Sequence, residues 1–287
     1  MIVGDEMKNV IIVGSGPAGI TAGIYLTRAK IDNVVLTTNQ GSLKKADKIE
    51  NYYGFENPIS GEKLLQNGIN QYINLGGKII EDEIVGITFE DKLVLKGVKE
   101  NYKADVIILA TGVSRLLPNI EGLTDEIGIS YCAICDAFFY REKDVVVIGN
   151  GSYAISEAQV LEKTSNSVTI LSNGKEMTSS TNINVNNKKI EFVRKIEDYC
   201  YEIQFIDGSV LRTQGIFIAE GMAGATALAK KIGAKIDNNK IIVNEFNKTN
   251  IPGLYAVGDC TGGILQISKA VYEGTNAALN IIKELRK

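Results

Sequence analysis

A chain of 287 residues, 45% hydrophobic and 23% charged with 4 Pro, has the composition of a well-cored globular protein and enough length for two domains. Its net charge of -3 and pI of about 5.3 give no electrostatic case for nucleic acid or an anionic membrane, since both need a basic surface. Histidine is absent, which excludes His-based triads and His metal sites and leaves carboxylates, Tyr, Lys or Cys to move protons.

The opening stretch, Met1 to Val10, carries Asp5 and Glu6 and has no long apolar run, so it does not read as a signal peptide. A strand is expected at Val10–Val13, running into Gly14-Ser15-Gly16-Pro17-Ala18-Gly19 and a helical stretch, Ile20–Ala29. This G-x-G-x-x-G follows a strand and opens a helix, the context in which it binds a dinucleotide. The first glycine makes the tight turn, the second lets a pyrophosphate approach, and the third lets helix and strand pack. Pro17 suits the first helical turn, where a missing N–H costs nothing. About twenty residues on, where an acid often holds the ribose, stand the neutral Thr37-Thr38-Asn39-Gln40, which would have to do that work.

Further on, the strand Asp105–Ala110 ends in Ala110-Thr111-Gly112. Its apolar core, Val106–Ala110, is far shorter than the ~20 residues that cross a bilayer. The chain is expected to be cytoplasmic. A second strand–glycine unit follows at Val145–Ile148, Gly149-Asn150-Gly151-Ser152-Tyr153-Ala154 and a helix to about Lys163. A third apolar run, Leu254–Val257, enters Gly258-Asp259. Asp259 can hold a polyol by accepting its hydrogen bonds, or can cap the helix after Gln266. The pattern predicts an α/β fold of two Rossmann-like domains, the second inserted in the first: 1–116 plus 246–287, and 117–245.

Of the 4 Cys, only Cys132 and Cys135 are close in sequence. A structural zinc would need a second Cys pair or His partners, so no metal is expected. In a reducing cytosol a lone CxxC reads as a redox-active disulfide, the alternative being two buried structural thiols. Asp136 is the nearest proton donor to it. Cys200 and Cys260 lack partners and read as packing residues.

These residues together resemble the low-molecular-weight thioredoxin reductases. The likeness runs through Gly14–Gly19, Glu50-Asn51-x-x-Gly54-Phe55, Ala110-Thr111-Gly112, Ser130-Tyr131-Cys132-Ala133-Ile134-Cys135-Asp136, and Gly258-Asp259 to Gln266, Lys269 and Ala270. The resemblance implies FAD/NAD(P)-binding-type domains, one FAD per chain, a homodimer and thioredoxin as the partner. It implies that Cys135 lies nearest the flavin, Cys132 exchanges with thioredoxin, and Asp136 acts as the acid. It also implies that Asn51, Asp259, Gln266 and Ile267 lie along the FAD with the first glycine loop and Ala110–Gly112.

The departure lies in the second domain. NADPH-using members of the family carry arginines after its second strand to hold the 2′-phosphate. Here the strand Val168–Leu171 ends in Ser172-Asn173-Gly174-Lys175, with no Arg and no acid for an NADH ribose. Tyr153 is expected to stand in the path of a pyrophosphate, and Lys175 alone is a poor substitute for an arginine fork. The chain thus resembles the branch that does without nicotinamide nucleotides, the ferredoxin-dependent flavin thioredoxin reductases. An acidic ferredoxin needs a basic docking patch, for which Lys44-Lys45-x-x-Lys48 is the candidate, its alternative being a solvated charged loop. Two other readings are an ordinary NAD(P)H-dependent enzyme and a non-catalytic flavin-binding redox sensor.

Overall fold

The computed structural model describes residues 9–38, 41–112, 117–124, 129–221 and 223–286, apart from the side chains of residues 42, 45 and 135. The chain forms two compact units, Met1–Ser114 with Gly224–Lys287, and Arg115–Ala223.

The first unit begins with β1 (Val10–Val13), α1 (Pro17–Arg28) and β2 (Asn33–Thr37). Next come α2 (Gly61–Asn74), β3 (Lys78–Glu81), β4 (Ile84–Phe89), β5 (Leu93–Gly97), β6 (Asn101–Ala104) and β7 (Val106–Leu109). β1 and β7 are apolar and buried at every position, as strands covered on both faces must be. β1 pairs in parallel with β2 on one side and β7 on the other. The chain therefore reverses its direction of travel across the sheet between β1 and β7, and the loops leaving those two strands flank a crevice. β4, β5 and β6 make a separate antiparallel layer. Tyr72 of α2 is fully buried, and its hydroxyl donates to Asn33 Oδ1 at 2.8 Å, fixing the helix to the start of β2.

The second unit contains α3 (Ala133–Asp136), β8 (Asp144–Ile148), α4 (Ser152–Leu161), β9 (Ser167–Leu171) and β10 (Asn184–Asn186). It continues with β11 (Ile190–Glu197), β12 (Cys200–Phe205), β13 (Val210–Thr213) and β14 (Gly215–Ile218). Its parallel sheet runs β10-β9-β8-β14, so the corresponding reversal falls between β8 and β14. β12 buries alternate residues, Tyr201, Ile203 and Phe205, at the period expected of a one-sided antiparallel strand. These side chains share a core with Val146, Ile148, Ile216 and Ile218.

The chain returns to the first unit with α5 (Ala225–Lys231), β15 (Ile236–Asp237), β16 (Lys240–Ile241), β17 (Leu254–Ala256) and α6 (Ile267–Leu285). The sequence placed this return at residue 246; it occurs at Gly224. The reason is α5, which packs on β4 and whose Lys231 ammonium donates to the Val85 carbonyl at 2.8 Å. β17 pairs with β7, giving the order β17-β7-β1-β2-β3. α6 buries Ala270, Gly274, Ala277, Ala278 and Ile281, a stripe at helical spacing, and packs against α1. Among the described residues no helix is long and apolar enough to cross a membrane.

Candidate functional site

The crevice of the first unit begins at Gly14, whose φ of +113° is a glycine conformation and whose missing Cβ would lie 2.5 Å from the Ala110 carbonyl oxygen. The loops after β1 and β7 can touch only because that position is bare. α1 starts at Pro17 with Gly16 as N-cap and no side-chain cap, which leaves N–H groups of its first turn for a ligand. A Cβ on Gly16 would meet nothing within 4 Å. An open cradle, an uncapped helix and a tight turn together fit the pyrophosphate of a dinucleotide cofactor. The ribose end differs from expectation. Thr37 is buried and its hydroxyl is 2.7 Å from Ser15 Oγ, so it serves the loop itself, while Asn39 and Gln40 lie outside the described residues.

Around the same crevice, Ala110 is buried beside Gly14, and the Thr111 hydroxyl accepts from the Ala225 N–H at 2.7 Å, capping α5. The Thr111 hydroxyl keeps its O–H to donate to a ligand, and the half-buried Gly112 offers its backbone. Gly258–Thr261 form a 3₁₀ turn with Asp259 half-buried in its first turn. Gln266, not Asp259, is the N-cap residue of α6, which removes the capping alternative. Asn51 Nδ2 donates to Gln266 Oε1 at 3.3 Å, so these two expected contacts meet, and Ile267 opens α6 beside them. Sequence reasoning missed what holds the turn. Glu273 accepts from the Gly258 N–H at 2.7 Å, and the Lys269 ammonium donates to the Gly258 carbonyl at 2.8 Å and pairs with Glu273 at 3.1 Å. The i,i+4 spacing of Lys269 and Glu273 was the available signal.

In the second unit Cys132 is disulfide-bonded and 3% exposed. It is the N-cap residue of α3; the Cys135 side chain lies outside the described residues. Asp136, half-buried at the end of α3, accepts from Ser130 Oγ at 2.7 Å through Oδ2. The same buried Ser130 oxygen accepts from the Cys132 N–H at 3.2 Å, tying the acid to the cysteine's backbone. Glu157 of α4 accepts from the Ala133 N–H at 2.6 Å. Ile134, Phe138 and Phe139 are 48%, 69% and 56% exposed, an apolar surface around the pair, with the Arg141 guanidinium 5.2 Å from the Phe138 ring centre. Cys200 and Cys260 are free thiols. Burial, and then the charge of Glu273, pushes the Cys260 thiol up to about 12, which keeps it protonated and inert.

The second unit's own glycine loop is built differently. Tyr153 does not stand in a pyrophosphate path: it is 4% exposed and its hydroxyl donates to the Tyr131 carbonyl at 3.2 Å. An aromatic ring at the second position of α4 is more stable packed inward than across a polar loop. Another segment lies on the loop. Asn150 Nδ2 donates to the Glu176 carbonyl at 2.9 Å, the Thr178 N–H donates to the Asn150 carbonyl at 2.8 Å, and Ser152 Oγ lies 2.9 Å from Ser179 Oγ. A Cβ on Gly151 would touch Thr178 Oγ1 at 3.4 Å and the Gly221 carbonyl at 3.5 Å. Residues 176–179 fill the space that is open at Gly16. Lys175, just after β9, pairs with Glu220 at 2.6 Å, and the other Glu220 oxygen is buried without a hydrogen-bond partner. A carboxylate there repels a phosphate. In the first unit's lysine run, Lys48 pairs with Glu50 at 2.7 Å, and the Lys45 side chain is outside the described residues.

The family model of the pyridine nucleotide-disulphide oxidoreductases matches residues 8–274. A thioredoxin reductase of Rickettsia prowazekii is 33% identical, over 97% of this chain and 98% of that protein; one from Peptoclostridium litorale is 31% identical over 99% and 98%. Among solved structures, an atypical thioredoxin reductase from Desulfovibrio vulgaris Hildenborough superposes with a TM-score of 0.89 at 34% identity, covering 97% of this chain and 98% of its own. A ferredoxin-flavin thioredoxin reductase from Clostridium acetobutylicum gives 0.70 at 28% identity, covering 98% and 99%. Whole-length likeness of this kind, on a first unit whose open glycine cradle fits FAD, makes the chain a member of the low-molecular-weight thioredoxin reductase family, an FAD-binding oxidoreductase of the pyridine nucleotide-disulphide type.

Proposed function

We propose that this enzyme reduces thioredoxin with electrons from a ferredoxin-type carrier and does not use NADPH or NADH. The carrying observation is the second glycine loop. Its pyrophosphate space holds Glu176, Thr178 and Ser179 of the same chain, where the first loop's equivalent space is open. The cation that would meet a 2′-phosphate is held by Glu220. The likeness to a ferredoxin-flavin enzyme supports the same reading.

The open Gly14–Gly19 cradle would hold FAD, which would supply the coupling of one-electron to two-electron chemistry that such a donor requires. The chain's residues do the rest. Two electrons and two protons convert the Cys132–Cys135 disulfide to a dithiol; Asp136, oriented by Ser130, supplies a proton to the departing sulfur. Cys132 then attacks the partner's disulfide, and Cys135 resolves the mixed disulfide and returns the pair to its oxidised state. The exposed Ile134, Phe138 and Phe139 give a protein partner an apolar surface beside the pair, which favours turnover over a passive sensor. By the family's pattern the enzyme works as a cytoplasmic homodimer, with Gly14–Gly19, Asn51, Ala110–Gly112, Gly258, Asp259, Gln266 and Ile267 along the FAD.

An anaerobic absorbance titration tests the donor. Millimolar NADPH or NADH should leave the flavin oxidised, while reduced ferredoxin bleaches it at a rate that falls with added salt. Stoichiometric bleaching by micromolar NADPH would return the chain to the NADPH-dependent enzymes.

A further inference from the structure

The buried Glu157 has no part in the steps above, yet it reaches the redox pair. It lies on α4, is 1% exposed, and its Oε2 accepts from the Ala133 N–H at 2.6 Å. Ala133 is the first residue of α3 and follows Cys132 directly. α3 and α4 pack together, and on the preceding turn Tyr153 reaches the Tyr131 carbonyl on the other side of Cys132. One helix thus grips the backbone on both flanks of the cysteine.

The N–H groups at the start of a CxxC helix ordinarily stabilise a thiolate and favour the reduced form of the pair. Here the N–H of the residue next to Cys132 is bound by the Glu157 carboxyl group. A carboxylate at that point acts against a thiolate twice, by occupying the donor and by its charge. A destabilised thiolate shifts the dithiol–disulfide equilibrium toward the disulfide, which makes the pair a stronger reductant.

We propose that Glu157 is a positioning residue that, through the Ala133 N–H, holds the Cys132–Cys135 pair at a reducing potential. The inference rests on Cys132 belonging to the redox pair and is independent of the electron donor.

The test equilibrates the anaerobic, FAD-loaded protein with glutathione buffers. The two thiols lose two electrons and two protons to glutathione disulfide, giving the protein disulfide and two glutathiones. Alkylation and mass spectrometry of the Cys132–Cys135 peptide read the ratio. Glu157→Gln keeps an acceptor for the Ala133 N–H and removes the charge. It should move the equilibrium about tenfold toward the dithiol, roughly 30 mV less negative. Glu157→Ala should move it at least as far. An equilibrium unchanged within threefold in Glu157→Gln overturns the proposal.

A measurement without any change at Glu157 guards against a variant that fails to fold. In Cys135→Ser, which leaves Cys132 alone at the pair, the Cys132 thiolate absorbance should rise at or above the ordinary cysteine range of about 8.5. A midpoint two or more pH units lower overturns the proposal by itself. Neither measurement uses ferredoxin, NADPH or thioredoxin, so failure here leaves the donor assignment standing, and failure there leaves this one.

Discussion

The two glycine loops allow one substitution to be made twice with opposite expectations. At Gly16, φ is -71° and ψ 179°, which alanine adopts without strain, and the new methyl meets nothing within 4 Å. Loss of glycine at an N-cap costs up to about 1 kcal/mol, and the restricted unfolded chain returns about 0.4–1 kcal/mol, so the cofactor-free protein should melt almost unchanged. The methyl does enter the space a pyrophosphate must occupy. Losing two charge-assisted N–H···phosphate bonds at about 1.5–3 kcal/mol each removes about 3–6 kcal/mol, or roughly two to four decades of FAD affinity. At Gly151, φ is -116° and ψ -176°, and alanine makes only ordinary contacts with Thr178 and Gly221. Gly151→Ala should keep FAD affinity and ferredoxin-driven turnover within about twofold, since no ligand stands there to lose contacts. Fluorescence titration of apoprotein with FAD, alongside thioredoxin turnover, reads both. Wild-type FAD affinity in Gly16→Ala would refute the cradle; a hundredfold loss of turnover in Gly151→Ala would refute the filled loop.

Asp136→Asn should slow disulfide reduction by roughly 10²–10⁴-fold with unchanged FAD content, as measured by single-turnover kinetics; an unaltered rate would move the proton donor elsewhere. Phe138→Ala should raise the KM for thioredoxin by about tenfold while flavin reduction by ferredoxin is unaffected, and equal KM values would remove this surface from the docking site. Cys260 holds its proton in the folded state up to about 12, whereas the unfolded chain releases it near 8.5. The folded state therefore binds more protons above that point, and stability should fall with rising pH by about 1.4 kcal/mol per unit between those values. Cys260→Ser should flatten that limb of a denaturation-versus-pH series, and an unchanged slope counts against the burial.

Much of the site was written in local spacing. The first glycine loop, the CxxC, and the Asp259–Gln266 segment each gather their candidate residues within a few positions of one another, and the structure puts a helix or 3₁₀-turn start at each. What stayed hidden depends on partners far along the chain. Thr37 looked free for a ribose until Ser15, 22 residues earlier, took its hydroxyl. Tyr153 looked like an obstruction because its sequence position faces the loop, but burial turned it inward. The segment that occupies this loop, Glu176 to Ser179, has no motif; its place comes from the hydrogen bonds it makes to Asn150 and Ser152. α5 was assigned to the wrong unit because a short helix shows in sequence what it buries, not against which sheet.

The order of strands bears on how the protein is made. A ribosome releases β1 to β7 first, then the whole of the contiguous inserted unit, and only afterwards β17. Until residues 254–256 emerge, β7 is an apolar edge strand with nothing on its outer side, the kind of edge that recruits other chains. Asp259 and Gln266 are later still, so if they lie along the FAD as proposed, the cofactor meets its full complement of groups only when synthesis is nearly over. The inserted unit has no such wait: its glycine loop is closed by its own residues 176–179, and all of its sheet lies between residues 144 and 218. It can fold on emergence, as domains generally do during synthesis. A shortage of flavin would then strand chains with one half folded and the other exposing β7. On this order of events, the supply of cofactor during translation is expected to bear on yield as well as on activity.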